Sequence, residues 1–326
     1  MMMPTIGKTN STKSEKTSKH SIMRLYFSML RTANLLIIIL TFLVLKHLVF
    51  VPIFDLYSVS EGLNYIQFSV MVTSTVLIAA AGYISNDYFD IQADLVNKPQ
   101  KQYINRGMSA GKALAIAVLF SLFSILLSIW LSFTMHSMLP MLMLNTALIV
   151  SWWYAASLKR SMVWGNIAVS CLTAGTIVMA WIFEATCIQL PSQGSNYITL
   201  IVGAVSLFAL LLTFMREVVK DMEDVEGDKV IGCKSLPIIK GNRYTKTVVY
   251  IVSFITIVLL ASTQVLLLKQ GFRVTTLYLM LFVELPIVWF MIKLRTTNNK
   301  AGFHYLSTSL KLIMLAGIFA VVVAQF

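Results

Sequence analysis

Long apolar runs separated by short polar segments dominate the chain. Residues 35–45, 113–135 and 248–268 carry no charged side chain, and the two longer runs reach the ~20 residues that a helix needs to cross a bilayer. The runs are continuous rather than alternating, which favours helices over the strands of a barrel. We predict an all-α, polytopic membrane bundle of nine transmembrane helices, with spans near 33–53, 65–85, 113–133, 138–156, 165–185, 197–215, 247–267, 275–292 and 306–325.

The segment before the first span differs from the rest of the chain. It is rich in Lys, Ser and Thr and lacks the apolar centre of a signal peptide. We therefore predict that residues 1–21 form a disordered cytoplasmic tail and that residues 22–326 form one transmembrane domain.

Composition and charge agree with this interpretation. Of 326 residues, 57% are apolar and 12% are charged, against about 25% charged in soluble proteins. Of the 26 basic residues, 22 fall in five segments on one side of the predicted membrane. The positive-inside rule places the N-terminus in the cytoplasm and the C-terminus outside, so the net charge of +12 indicates topology and not nucleic-acid binding. Lys46 and Lys311 fall inside spans, where snorkelling or a cavity would accommodate them.

Two acidic clusters follow spans two and six with the same D-x-x-D-x-x-x-D spacing. Four spans separate the clusters, and an even number of crossings returns the chain to the same side. We therefore predict two Asp-rich cytoplasmic loops that face each other. The clustered aspartates are Asp87, Asp90 and Asp94 in the first loop and Asp221, Asp224 and Asp228 in the second.

Carboxylates that share a face repel one another and favour a bound cation. Magnesium prefers oxygen ligands and is usually held by one or two carboxylates together with substrate phosphates. We predict Mg²⁺ ligands at Asp87, Asp90, Asp224 and Asp228, with Asp94 and Asp221 next. A single such cluster could equally be a solvated acidic segment. Nearby cations that could bind a diphosphate, or could be topology markers alone, are Lys98, Lys101, Lys159, Arg216 and Lys220.

The segments 86–94 and 216–228 resemble the two aspartate motifs of the UbiA superfamily of intramembrane prenyltransferases. The resemblance covers residues 24–326, and the first segment matches the N-D-x-x-D-x-x-x-D motif completely. It implies nine helices and Mg²⁺-dependent transfer of a prenyl group from a polyprenyl diphosphate to a lipophilic acceptor. It also implies that four aspartates are catalytic: Asp87, Asp90, Asp224 and Asp228. The same resemblance adds Asn34 and Asn86 as substrate-binding residues and supports a substrate-binding role for Lys159.

The segment 216–228 most resembles that of the enzymes that attach a geranylgeranyl group to geranylgeranylglyceryl phosphate in ether-lipid synthesis. A quinone-type aromatic acceptor remains an alternative, as does cyclisation of the prenyl chain without an acceptor. A cation transporter is an alternative of another class, and it predicts acidic residues throughout the membrane depth. Only Glu184 and Glu284 lie there, and we expect Glu284 to be hydrogen-bonded locally near a kink.

Overall fold

The computed structural model describes residues 29–60, 62–98, 104 and 108–324. Nine helices of these ranges are long and apolar enough to cross a membrane, which confirms the predicted all-α bundle. The predicted tail, residues 1–21, lies outside the described residues. In chain order the helices are α1 (Thr32–Leu56), α2 (Tyr65–Phe89), the short α3 (Ile91–Asn97), α4 (Ala110–Thr134), α5 (Leu139–Ala156), α6 (Trp164–Cys187), α7 (Ser192–Val230), α8 (Leu236–Lys269), α9 (Arg273–Thr296) and α10 (Lys300–Val323).

Several helices begin where the sequence supplies a capping side chain. Asn64 and Gln67 form a reciprocal capping box at the start of α2. The side chains of Ser109 and Asn299 accept backbone hydrogen bonds at the starts of α4 and α10. Gly241 interrupts the helical path near the start of α8 with φ of 78°, a conformation that other residues rarely adopt. Local sequence therefore sets these helix boundaries.

A buried ion pair connects α1 to α6. Lys46 Nζ donates to Glu184 Oε1 at 2.8 Å and to the Leu63 carbonyl at 3.0 Å, while Glu184 Oε2 accepts from Leu63 N at 2.9 Å. Lys46 is 1% exposed and Glu184 is fully buried. The predictions of snorkelling or a cavity are therefore wrong for Lys46, because its charge is neutralised inside the bundle.

The second membrane-depth acid, Glu284, is hydrogen-bonded to a neighbouring helix. It ends a π-helical turn, Met280–Glu284, in α9, and its Oε2 accepts from Gln264 Nε2 of α8 at 3.0 Å. The expected hydrogen bond is confirmed, but its partner lies on another helix and is not local. Because both membrane-depth acids are engaged within the bundle, they do not form the ion path that a transporter requires.

Eight of the long helices form a ring. Around the ring the helices follow the order α1, α2, α5, α6, α7, α8, α9 and α10. Helix α10 closes the ring by packing on α1, and it also packs on α7. The remaining long helix, α4, packs outside the ring on α2 and α5. One hydrophobic core surrounds Phe50 and Phe183, and a second surrounds Met215 and Phe290. The ring encloses a large cavity.

Helix α7 is longer than a membrane span. Its 39 residues correspond to about 58 Å, whereas the hydrocarbon core of a bilayer measures about 30 Å. The prediction of Asp-rich loops is therefore wrong in form. The second acidic cluster lies within α7, and the first lies on the end of α2, the junction at Asp90 and the start of α3.

Candidate active site

The two acidic clusters meet in one polar cleft, as their shared side of the membrane predicts. Helix α2 supplies Asn86 and Asp87, the α2–α3 junction supplies Asp90, and α3 supplies Asp94. Opposite them, α7 supplies carboxylates one turn apart. We call this the acidic cleft, and its lining comprises Arg31, Asn86, Asp87, Asp90, Ala93, Asp94, Asn97, Lys98, Lys159, Lys220, Asp224 and Asp228.

A tight contact between α3 and α7 sets the width of the cleft. Asn97 Nδ2 donates to the Asp224 carbonyl at 2.9 Å, and Asn97 Oδ1 accepts from Gly227 N at 3.0 Å. A Cβ atom on Gly227 would lie 2.4 Å from both the Ala93 carbonyl oxygen and Asn97 Nδ2. Glycine is therefore required at position 227. Asn97 belongs to the first motif region, but sequence reasoning assigned it no role.

Three cations offset the carboxylates of the cleft. Arg31 Nη2 donates to Asp87 Oδ1 at 3.0 Å, and Lys159 donates to Asp90 Oδ2. Lys98 Nζ lies 3.8 Å from carboxylate oxygens of both Asp94 and Asp224, so it bridges the two clusters. The predicted residues Lys98 and Lys159 are thus part of the cleft.

The electrostatics of the cleft keep Lys159 charged. Burial acts to lower the pKa of Lys159, but the surrounding groups, above all the carboxylate of Asp90, together outweigh burial and hold that pKa well above its ordinary value. Burial also raises the pKa of Asp94, with Lys98 opposing the shift and the charge of Asp90 adding to it. The carboxylates of the cleft are therefore close enough to repel one another, and additional positive charge would stabilise them.

Three buried oxygen atoms of the cleft have no hydrogen-bond partner among the described residues: Asn86 Oδ1, Asp87 Oδ2 and Asp224 Oδ1. Leaving such atoms unpaired is costly, so they indicate a ligand that the residues themselves do not supply. Within the described part of the chain, no group of three or more Asp, Glu, His or Cys side chains is placed to hold a metal ion by itself. The arrangement fits Mg²⁺, which binds to one or two carboxylates and takes its other ligands from water and phosphate.

The cleft adjoins the cavity inside the helix ring. This apolar cavity has a volume of about 1030 Å³ and is lined mainly by aliphatic side chains of α1, α2 and α5 to α10. Arg31, Asn86 and Lys220 line both the cleft and the cavity. Polar groups at this end of the cavity are Asn34, Tyr154, Arg216, Glu217 and Lys311. A polar head and an apolar tail of one ligand could thus occupy adjoining compartments.

The predicted site residues divide into four groups. The cleft holds Asn86, Asp87, Asp90, Asp94, Lys98, Lys159, Lys220, Asp224 and Asp228. Asn34 and Arg216 line the cavity instead, and Arg216 donates to Glu217. Asp221 is outside the cleft lining and accepts from Asn166 Nδ2 at 2.8 Å. Lys101 lies outside the described residues. Lys311 also lines the cavity, which confirms the prediction that a cavity accommodates this intramembrane charge.

Comparisons with known proteins agree with this architecture. The model of the UbiA prenyltransferase family matches residues 48–315. Digeranylgeranylglyceryl phosphate synthase of Methanothermobacter thermautotrophicus is 33% identical over 204 residues, which cover 62% of this chain and 66% of that protein.

Two solved structures share the fold. One, from work on digeranylgeranylglyceryl phosphate synthase in membranes, has a TM-score of 0.61 at 20% identity and covers 93% of this chain and 99% of that chain. The other is a UbiA homolog from Archaeoglobus fulgidus bound to DMAPP and Mg²⁺, with a TM-score of 0.53 at 15% identity, covering 91% of this chain and 99% of that chain.

Proposed function

The chain belongs to the UbiA prenyltransferase family, and from this premise we propose that it transfers a geranylgeranyl group to geranylgeranylglyceryl phosphate. The donor is geranylgeranyl diphosphate, the cofactor is Mg²⁺ and the product is an ether lipid. One observation carries the proposal: an acidic cleft, two of whose carboxylate oxygens have no partner among the described residues, adjoins an apolar cavity of about 1030 Å³. A diphosphate head with a long apolar tail matches that pair of compartments.

The residues of the cleft suit an allylic diphosphate. Asp87, Asp90, Asp224 and Asp228 would hold Mg²⁺, with Asp94 beside them, and Asn86 would orient the diphosphate. When bound, the metal neutralises charge that develops on the departing diphosphate. Asp221, which is held by Asn166, is a weaker candidate ligand than the sequence spacing suggests.

The protein's own cations contribute to the same step. Arg31, Lys98, Lys159 and Lys220 line the cleft and stabilise negative charge as the bond between C1 and the diphosphate oxygen breaks. The aliphatic walls of the cavity exclude water from the allylic cation that results. The acceptor hydroxyl then attacks C1 to form the C–O ether bond, and its proton passes to the departed diphosphate.

The size of the cavity and the known relative support a lipid acceptor. Ligand pockets usually measure about 300–1,000 Å³, so a cavity of about 1030 Å³ is at the upper end of that range and suits a large apolar ligand. The relative at 33% identity is named digeranylgeranylglyceryl phosphate synthase, and its name specifies a product with two such chains.

The test is transfer of radiolabel from geranylgeranyl diphosphate to geranylgeranylglyceryl phosphate by the purified protein. We expect ether product with Mg²⁺, none with EDTA, and none from Asp90→Asn. The control is Glu226→Gln, which removes an exposed charge on the second acidic segment and should retain activity. Prenylation of an aromatic acceptor alone would overturn the proposed acceptor. A cyclised product without an acceptor would overturn transfer itself.

A further inference from the structure

The cavity contains one cation whose charge no carboxylate of the described residues neutralises. Arg31 pairs with Asp87, and Arg216 pairs with Glu217. Lys311, on α10, instead donates to the amide oxygen of Asn34 on α1. It also lies within electrostatic reach of Arg216 and Arg31. A charged group at membrane depth is costly unless an anion accompanies it.

The position of Lys311 follows from the antiparallel packing of α7 and α10. His304 Nδ1 lies 2.9 Å from Glu223 Oε1, which fixes the register of the two helices. Arg216 precedes Glu223 by seven residues, and Lys311 follows His304 by seven residues. Both lie about 10 Å deeper than this pair. The two cations are therefore level with each other on neighbouring helices.

This depth separates Lys311 from the diphosphate region. Asp224 is eight residues beyond Arg216 on α7, which corresponds to about 12 Å along the helix. An acceptor must bring its nucleophile to within about 3–3.5 Å of the donor carbon. An acceptor whose anionic group bound to Lys311 and Arg216 would therefore approach the donor carbon from deeper in the cavity than the diphosphate.

We propose that Lys311, together with Arg216 and Asn34, forms a second anion subsite that binds the acidic headgroup of the acceptor. For a glycerol-phosphate lipid the group is the phosphate, and for an aromatic acceptor it would be a carboxylate. The subsite selects acidic acceptors over neutral ones and orients the attacking atom toward C1. The inference rests on the proposed prenyl transfer, but it concerns acceptor recognition alone.

The test compares geranylgeranylglyceryl phosphate with geranylgeranylglycerol, its neutral counterpart, at saturating donor. We expect Lys311→Met to raise KM for the phosphorylated acceptor by about ten- to a hundredfold, the effect of losing a hydrogen bond to a charged group. KM for the diphosphate and turnover of the neutral acceptor should change less than about twofold. Lys311→Arg, which keeps the positive charge, should return KM for the phosphorylated acceptor to near the wild-type value. Lys269→Met, which removes an exposed cation outside the cavity, is the matched control.

A binding measurement without donor or Mg²⁺ separates the subsite from catalysis. Calorimetry should show tighter binding of the phosphorylated acceptor than of the neutral one, and Lys311→Met should abolish the difference. If Lys311→Met weakened the binding of both acceptors equally, or raised KM for the diphosphate, the proposed subsite would be overturned. If the wild-type protein prenylates an aromatic acid instead, the proposed acceptor fails. A Lys311-dependent KM for that acid would still support the subsite, and a Lys311-independent KM would refute it.

Discussion

At the scale of single residues, the carboxylate of Asp224 illustrates how the cleft is prepared for a cation. Its Oδ1 is buried and has no partner among the described residues, and its Oδ2 lies 3.8 Å from Lys98 Nζ. The charge of Asp224 is therefore only partly offset within the protein. Positive charge from bound metal would complete the balance.

Asp224→Asn should lower kcat by about a hundredfold or more, because it removes one negative charge from the candidate metal site. The apparent affinity for Mg²⁺ should weaken in the same variant. Both quantities follow from rate measurements over a Mg²⁺ titration. Glu226→Gln, two residues away on the same helix but exposed, should leave both values near those of the wild type. Equal losses of kcat and of Mg²⁺ affinity in the two variants would show that the total negative charge of the segment matters, and not the position of Asp224.

The spacing of the aspartates predicted the cleft, but it did not predict how each carboxylate is partnered. Asp221 lies nearly on the same helix face as Asp228, yet it is about 10 Å away along the axis. At that level Asn166 of α6 reaches it. The difference depends on the position of a third helix, and this information is absent from the local sequence.

At the scale of helices, the contact between α3 and α7 sets the distance between the two motifs. Asn97 bonds to both a carbonyl and an amide of α7, and Lys300 of α10 donates to the Asn97 carbonyl at 2.7 Å. Three helices therefore meet at one asparagine beside the cleft.

Gly227→Ala should separate α3 from α7, since the added methyl group would lie 2.4 Å from the Ala93 carbonyl oxygen. Overpacking of this kind costs about 1–3 kcal/mol, so the Tm in detergent should fall and prenyl transfer should fall with it. Gly203→Ala is the matched control on the same helix, because a Cβ there meets no atom within 4 Å. An unchanged Tm and activity for Gly227→Ala would contradict this account of the cleft.

The ion pair between α1 and α6 makes a separate prediction for stability. Lys46→Met should destabilise the bundle by about 3–5 kcal/mol, because Glu184 would lose a buried counter-charge. The double variant Lys46→Met/Glu184→Leu should recover part of that loss. Thermal unfolding of the two variants in one detergent measures the difference. A double variant less stable than the single one would refute a charge-based explanation.

Hydropathy located the membrane spans well and their ends less well. The sixth span was predicted to end near residue 215, where charged residues begin, but α7 continues to Val230. Glu, Lys and Met favour helices in water as well, so a change from apolar to charged residues marks the edge of the membrane and not the end of the helix.

At the scale of the whole molecule, the nine spans among the described residues and family membership establish an integral, multi-pass membrane protein. Its orientation remains a prediction from the basic residues, with the N-terminus and the acidic cleft in the cytoplasm and the C-terminus outside. The helix order within the ring and the cavity that it encloses depend on long-range packing, which apolar periodicity does not encode.

Cysteine labelling tests that orientation. After replacement of Cys171, Cys187 and Cys233, an impermeant maleimide applied to intact cells should label Gln270→Cys and not Lys240→Cys. Both positions are exposed and lie at opposite ends of α8. After the cells are broken, both should react. Labelling of only Lys240→Cys in intact cells would reverse the predicted topology.

The excess length of α7 also has a consequence for how the two products leave. The acidic end of the helix extends beyond the thickness of the hydrocarbon core, so the proposed reaction would form diphosphate close to bulk water. The apolar product of the proposed reaction would remain among the aliphatic walls of the cavity. The two proposed products would therefore leave from different compartments, and neither would have to cross the compartment of the other.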